Sequence, residues 1–320
     1  MNAPLPTGWR VWVLGARPRT LPAAIVPVLV GSAAAVGETP RVDAVGDSFP
    51  PTLYYFGAEA PDRWINFALA MVVALALQIA TNYANDYSDG KRGTDDPSKR
   101  IGPPRLIGNR MASLDEVKRA VIIAFAVAAV AGGLLVLRVG WELVPVGVAA
   151  IAAGWFYTGG PRPYGYAGLG EAFVFVFFGL VATMGSTYVQ IGRLTWLSFG
   201  CAVAVGALAT ALLVVNNLRD ISGDARAEKL TLAVRIGDQR TRVLYALLLA
   251  IPFVVLPFVA GLSGRPLAAL AFAAVVLGTK PLTTVLSGTR GAGLIPALAG
   301  TGKVQLAYGV LLSIGLVIVP

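Results

Sequence analysis

The chain has no histidine, a single cysteine and only 13% charged residues among its 320. Without histidine there is no imidazole base and no His-ligated zinc or haem. Any metal must then be held mainly by oxygen, which points to magnesium or calcium. The one cysteine, Cys201, excludes an intrachain disulfide and, lying in an apolar run, reads as a small core residue. Soluble domains carry about 25% charged residues; the low charge here, beside 56% hydrophobic residues, marks an integral membrane protein. The formal net charge is +9. No nucleic-acid-binding motif accompanies it, so the basic excess is assigned to topology, with Lys and Arg holding loops in the cytoplasm.

What is present is a polar motif that closes an apolar run, and it occurs twice. Asn216-Asn217-Leu218-Arg219-Asp220-Ile221-Ser222-Gly223-Asp224 follows the run Cys201 to Val215. Asn216, Asp220 and Asp224 are four apart and share one face if the helix continues. Carboxylates at a helix C-terminus are opposed by its dipole, by about 0.3–1 kcal/mol each, and a bound cation is the simplest compensation. Asn82-Tyr83-Ala84-Asn85-Asp86-Tyr87-Ser88-Asp89 repeats the arrangement, with Asp95 and Asp96 following.

Such clusters can be plain solvated carboxylates balanced by neighbouring bases. The recurrence of Asn with Asp argues for more, since Asn adds a neutral oxygen or a phosphate-facing donor. Magnesium commonly binds one or two carboxylates plus substrate phosphates and waters. Two such sites facing each other would clamp a diphosphate, with Arg and Lys on its outer oxygens. A lipid-embedded cavity beside the clamp suits a polar head on a long apolar tail. If the tail is allylic, loss of diphosphate leaves a carbocation that aromatic rings can stabilise; Phe173, Phe175, Phe177, Phe178 and Tyr188 are candidates, though such a stripe can equally face lipid or core.

The chain reads as one all-α transmembrane domain, residues 1–320, with about nine spans. Arg10, Arg17 and Arg19 precede a first helix over Ala23 to Val36, retained despite the cleavage-site-like Ala33-Ala34-Ala35; Arg17 and Arg19 are also suited to an anion. Residues 37–63 form an acidic insert placed outside. Further helices are expected from Trp64 to Tyr83, from Ser113 to Leu137, from Leu143 to Tyr157 and from Glu171 to Gln190. The sixth ends in the second motif, and the last three cover Val243–Leu262, Pro266–Leu286 and the C-terminal run to Val319. Gln78 is expected to face the interior, and Pro252 and Pro257 to kink their helix. Residues 84–119 and 218–242 read as basic cytoplasmic cap loops, leaving only Arg41, Arg63, Arg138, Arg193 and Arg265 outside.

The two motifs resemble the Asp-rich motifs of the UbiA-type intramembrane aromatic prenyltransferases. Four stretches are similar to one branch, which acts on 1,4-dihydroxy-2-naphthoate: Ala16-Arg17-Pro18-Arg19-Thr20-Leu21-Pro22-Ala23, Tyr157-Thr158-Gly159-Gly160-Pro161-Arg162-Pro163, Gly168-Leu169-Gly170-Glu171 and Lys229-Leu230-Thr231-Leu232-Ala233-Val234-Arg235-Ile236-Gly237. The resemblance implies a nine-helix bundle in the cell (inner) membrane with a cytoplasmic active site. It implies magnesium-dependent transfer of a polyprenyl group from polyprenyl diphosphate to the naphthoate, with loss of diphosphate and carbon dioxide, giving a demethylmenaquinone. By position, Asp86, Asp89, Asp220 and Asp224 would bind magnesium, with Asn82 and Asn216 assisting. Arg219, Lys229 and Arg162 would contact diphosphate; Asn85, Asn217, Tyr157 and Tyr188 complete the candidate substrate contacts. The chain departs from the pattern at Gly93, where a further Asp is usual, at Glu228, where Gly is usual before the Lys, and in the length of its 37–63 insert. Two alternatives stand beside this reading: a sibling enzyme with another acceptor (a hydroxybenzoate, homogentisate or haem), and a transporter, since intramembrane charges and repeated motifs occur there too. With histidine absent, the general base is left to an Asp, a Tyr or the acceptor's own ionised phenol.

Overall fold

A computed structural model describes residues 6–38, 60–93 and 104–318, and no strand occurs among them. Most of the 37–63 insert, together with Asp95 and Asp96, lies outside the described residues. The helices are α1 (Trp9–Ala16), α2 (Pro22–Ala34), α3 (Ala60–Arg92), α4 (Leu114–Arg138), α5 (Leu143–Phe156), α6 (Gly170–Ile191), α7 (Trp196–Arg226), α8 (Leu232–Ile236), α9 (Asp238–Leu262), α10 (Pro266–Leu286) and α11 (Gly291–Val317).

Among the described residues, seven helices are long and apolar enough to cross a bilayer, or eight if the α1–α2 pair is one bent span. The expected count of nine is not confirmed by length and composition, for two reasons. The first segment is a pair, Trp9–Thr20 and Pro22–Ala34, that meets at Leu21 with a bend of 56°. The α5 helix has 14 residues, about 21 Å at 1.5 Å per residue, against a hydrocarbon core of about 30 Å.

Both motif helices run further than expected. The α3 helix passes Tyr83 and ends at Arg92, and α7 ends at Arg226, so both motifs are wholly helical and the expected cap loops begin later. Starts were easier to read. Ser113 Oγ accepts from Glu116 N at 3.3 Å while Glu116 accepts from Ser113 N at 2.8 Å, a capping box that opens α4. Thr195 and Ser198 open α7 in the same way.

The α7 helix is the hub. Its stripe of Cys201, Ala204, Val205, Ala207, Leu208, Ala211, Val214 and Val215 is buried against α2, α9 and α11. Helices in lipid gain little from apolar burial against one another, so small residues that allow close approach carry the packing. At Gly206 a Cβ would lie 3.0 Å from Gly179 Cα, which fixes the α6–α7 crossing. Beside it, residues Phe175–Val181 of α6 wind as a π-helix, which rotates the ring-bearing face relative to a regular helix.

Candidate active site

Asn82, Asn85, Asp86 and Asp89 lie at i, i+3, i+4 and i+7 on α3, one polar stripe at the C-terminal end of an apolar span. Asp86 is 1% exposed. Its carboxylate receives the guanidiniums of Arg17 and Arg105, and the backbone N–H of Leu106 at 3.2 Å. Arg105, itself buried, also reaches Asp89 at 3.5 Å. Asp89 further receives Lys229 Nζ at 3.0 Å and the phenol of Tyr166. Asn82 Nδ2 donates to Ala16 O at 2.9 Å and Thr20 Oγ1 at 3.1 Å, closing the bend between α1 and α2 onto the motif. Asn85 Oδ1 accepts from Thr158 Oγ1 at 2.8 Å, which anchors the loop after α5.

The second motif is built by the way α7 ends. Lys229 N donates to Asp224 O at 2.9 Å and Glu228 N to Ala225 O at 3.3 Å, with Glu228 left-handed at φ 56°. This is a Schellman turn, in which the left-handed position is usually glycine. It turns Lys229 back across the bundle to Asp89, and that ion pair puts the ends of α3 and α7 side by side. Arg219 Nε donates to Asp220 Oδ1 at 2.8 Å. Asn217 Nδ2 donates to the buried carboxylate of Glu171 at 3.0 Å, while Asn216, Asp220 and Asp224 are half-buried.

Tyr166 joins the halves. Its ring has Lys229 Nζ at 4.7 Å and the Arg92 guanidinium at 5.2 Å. Burial, then the adjacent Asp89 charge and hydrogen bond, push its phenol far above the ordinary range, so it stays a donor. Tyr157, edge-on to Tyr164, is likewise pushed up by burial and then by Glu171. Below them Tyr164, Phe173 and Phe177 stack at 3.9 and 6.0 Å, a ladder of rings leading from the cap into the bundle.

Two expected residues are not brought to this cluster. Tyr188 bonds Glu142 and packs with Phe67, 19 residues before Asp86 on α3 and therefore about 28 Å away along it. Arg162 is exposed on its loop and has no ion pair among the described residues. Conversely, Arg105 counted only as a topological base in the sequence, and Tyr166 lay unremarked in a Gly/Pro-rich loop. Arg17 was visible as an anion-suited residue.

The dipole repulsion at both helix ends is therefore met by side-chain cations. Asp86, Asp89 and Asp220 are paired with Arg17, Arg105, Lys229 and Arg219. Among the described residues no three acidic side chains converge on one preformed metal cluster. Two aspartates per helix, all oxygen donors, fit a hard ion that completes its shell from phosphate and water.

An intramembrane helical bundle capped by paired Asn/Asp motifs and interleaved cations defines a membrane prenyltransferase, and the chain belongs to the UbiA prenyltransferase family, matched over residues 48–290. More particularly, it is 47% identical over 297 residues to the 1,4-dihydroxy-2-naphthoate octaprenyltransferase of Mycobacterium tuberculosis, covering 93% of each chain. It is 42% identical over 300 residues to that of Mycobacterium leprae, again covering 93% of each. In structure it is similar to a UbiA homolog from Archaeoglobus fulgidus bound to DMAPP and Mg2+, with a TM-score of 0.59 at 13% identity, covering 97% of this chain and 99% of the other.

Proposed function

We propose that this protein transfers a polyprenyl group from polyprenyl diphosphate to 1,4-dihydroxy-2-naphthoate, releasing diphosphate and carbon dioxide to give the quinol form of a demethylmenaquinone. The observation that carries the reading is the Lys229–Asp89 ion pair, which sets both acidic motifs at one end of an apolar bundle. The names of the relatives favour the naphthoate over other acceptors. A transporter site would sit near the midplane on broken helices, whereas these clusters lie at the ends of continuous ones.

The cap's aspartates are already offset by Arg17, Arg105, Lys229 and Arg219. A diphosphate adds several further negative charges, and divalent ions are the natural compensation. Asp86 and Asp89 would hold one magnesium, Asp220 and Asp224 the other; when bound they supply neutralisation of the departing diphosphate. On diphosphate binding the same four cations exchange carboxylate oxygens for phosphate oxygens, for which guanidinium is geometrically matched. Tyr166, held protonated, keeps Asp89 in place. The Tyr164–Phe173–Phe177 ladder offers π-faces to an allylic cation and excludes water from it. The excess of Lys and Arg at the motif end orients that end to the cytoplasm.

The testing experiment is an acceptor panel on purified protein with labelled polyprenyl diphosphate, with and without EDTA. The naphthoate should be prenylated, hydroxybenzoate and homogentisate should not, and EDTA should abolish turnover until magnesium is restored. Turnover of hydroxybenzoate but not the naphthoate, or full activity in EDTA, contradicts the reading.

A further inference from the structure

The carboxylates of the cap fall into two kinds. Asp86, Asp89 and Asp220 each face a guanidinium or ammonium. Glu171 does not. It is 6% exposed, and its carboxylate accepts from the Asn217 amide and from its own backbone N–H, with no ion pair among the described residues. A buried carboxylate without a counter-cation is costly. A carboxylate offers about four lone-pair positions, and Asn217 and the backbone N–H take two.

Its position is also informative. Asn217 adjoins Asn216 of the second motif. A Cβ on neighbouring Gly170 would lie 3.3 Å from the Tyr157 ring and 3.5 Å from its hydroxyl, so no side chain at 170 separates Glu171 from Tyr157. Thr158, next to Tyr157, donates to Asn85 of the first motif at 2.8 Å while Glu171 accepts from Asn217 of the second at 3.0 Å, placing this corner between the two motifs. The other candidate bases are engaged. Histidine is absent, three of the aspartates are salt-bridged, and the Tyr166 phenol is hydrogen-bonded to Asp89.

We propose that Glu171 is the general base for the acceptor, an inference that rests on the function proposed above. Its carboxylate takes the proton of a ring hydroxyl. The electron pair released into the ring forms the new bond to the prenyl carbon as that carbon's bond to diphosphate oxygen breaks, the pair leaving with diphosphate. The bond to the acceptor's carboxylate then breaks, carbon dioxide departs, and its electron pair returns to the ring. Glu171 hands the proton back to the ring oxygen. No proton is consumed overall and no further reactant is needed.

Glu171→Gln keeps the shape and an oxygen for Asn217 but accepts no proton. It should lower kcat by about 10²–10⁴-fold and erase the acid limb of the kcat/KM pH profile. Residual turnover should rise at high pH, where the acceptor ionises unaided. The thermal shift given by magnesium plus polyprenyl diphosphate should stay at the wild-type value, since donor binding is untouched. Glu171→Asp should retain the acid limb at reduced rate. Tyr157, Tyr164, Asp224 and Arg17, the titratable and charged groups around the Tyr157–Glu171 pair, are unchanged in both variants. A Gln variant within about threefold of wild-type turnover, with the acid limb intact, overturns the assignment and leaves Glu171–Asn217 a staple between α6 and α7. If the Gln variant does not fold, the Asp variant decides: loss of its acid limb also overturns the assignment. Wild-type turnover of the naphthoate is measured alongside, so a failure of the enzyme reading is seen there and a failure of the base only in the variants.

Discussion

At the scale of single residues, the aspartates of both motifs were legible, because their i, i+3 and i+4 spacings survive whatever the chain does around them. What neutralises them was not. The partners of Asp86 come from Arg17, 69 residues earlier, and Arg105, 19 residues later, and no local pattern announces such pairings. The departure at Glu228 was legible, and its cost is now physical: a non-glycine residue at φ 56° in a Schellman turn. The left-handed conformation costs an L-residue about 1–2 kcal/mol, and glycine gives back about 0.5–1 kcal/mol in chain entropy. Glu228 is exposed and makes no ion pair among the described residues. Glu228→Gly is therefore expected to stabilise by about 0.5–1 kcal/mol, raising Tm by about 1–2 °C with turnover retained. A lower Tm in a thermal-shift measurement would refute the strain.

At the scale of elements, the apolar runs gave the spans and the Ser113 capping box gave the start of α4, because both signals are local. Helix ends were misplaced where polarity and helicity part company. A stretch such as Asn82 to Asp89 looks like loop, yet α3 continues through it to Arg92, since Arg105 and Lys229 supply from outside the charge its C-terminal end requires. The same holds for α7, which runs through the second motif to the Schellman turn. The aromatic stripe of α6 was visible in sequence, but not its division. The π-helical stretch and the Tyr164 stack place Phe173 and Phe177 beneath the cap, while Tyr188 ends at the opposite end beside Glu142. That opposite end is tied by Arg265 to Leu316 O at 2.8 Å and by Arg193 to Glu38 at 2.9 Å. These bonds tie the ends of α2, α6, α10 and α11 to one another.

At the scale of the whole molecule, the proposed orientation rests on the excess of Lys and Arg at the motif end. In a chain with Cys201 replaced, a cysteine at exposed Ala225 should be labelled only from the cytoplasm and one at exposed Trp141 only from outside; the reverse pattern would overturn the orientation. The central claim is that the paired motifs are one reaction site. Removing a carboxylate at a helix C-terminus relieves dipole repulsion, but at Asp86 it also strands two guanidiniums, at a cost of about 3–5 kcal/mol for a broken buried pair. Asp86→Asn should thus lose stability along with turnover, which makes Asp220 the cleaner probe. Its side chain is 23% exposed and its partner Arg219 is the adjacent residue. The most direct measurement is release of labelled carbon dioxide from carboxyl-labelled dihydroxynaphthoate by Asp220→Asn, given polyprenyl diphosphate and magnesium, with Tm recorded on the same sample. The account predicts a Tm within a few degrees of wild type and release lowered by about 100-fold or more, the loss of several kcal/mol of charge stabilisation. A folded Asp220→Asn protein that releases carbon dioxide at the wild-type rate would contradict it.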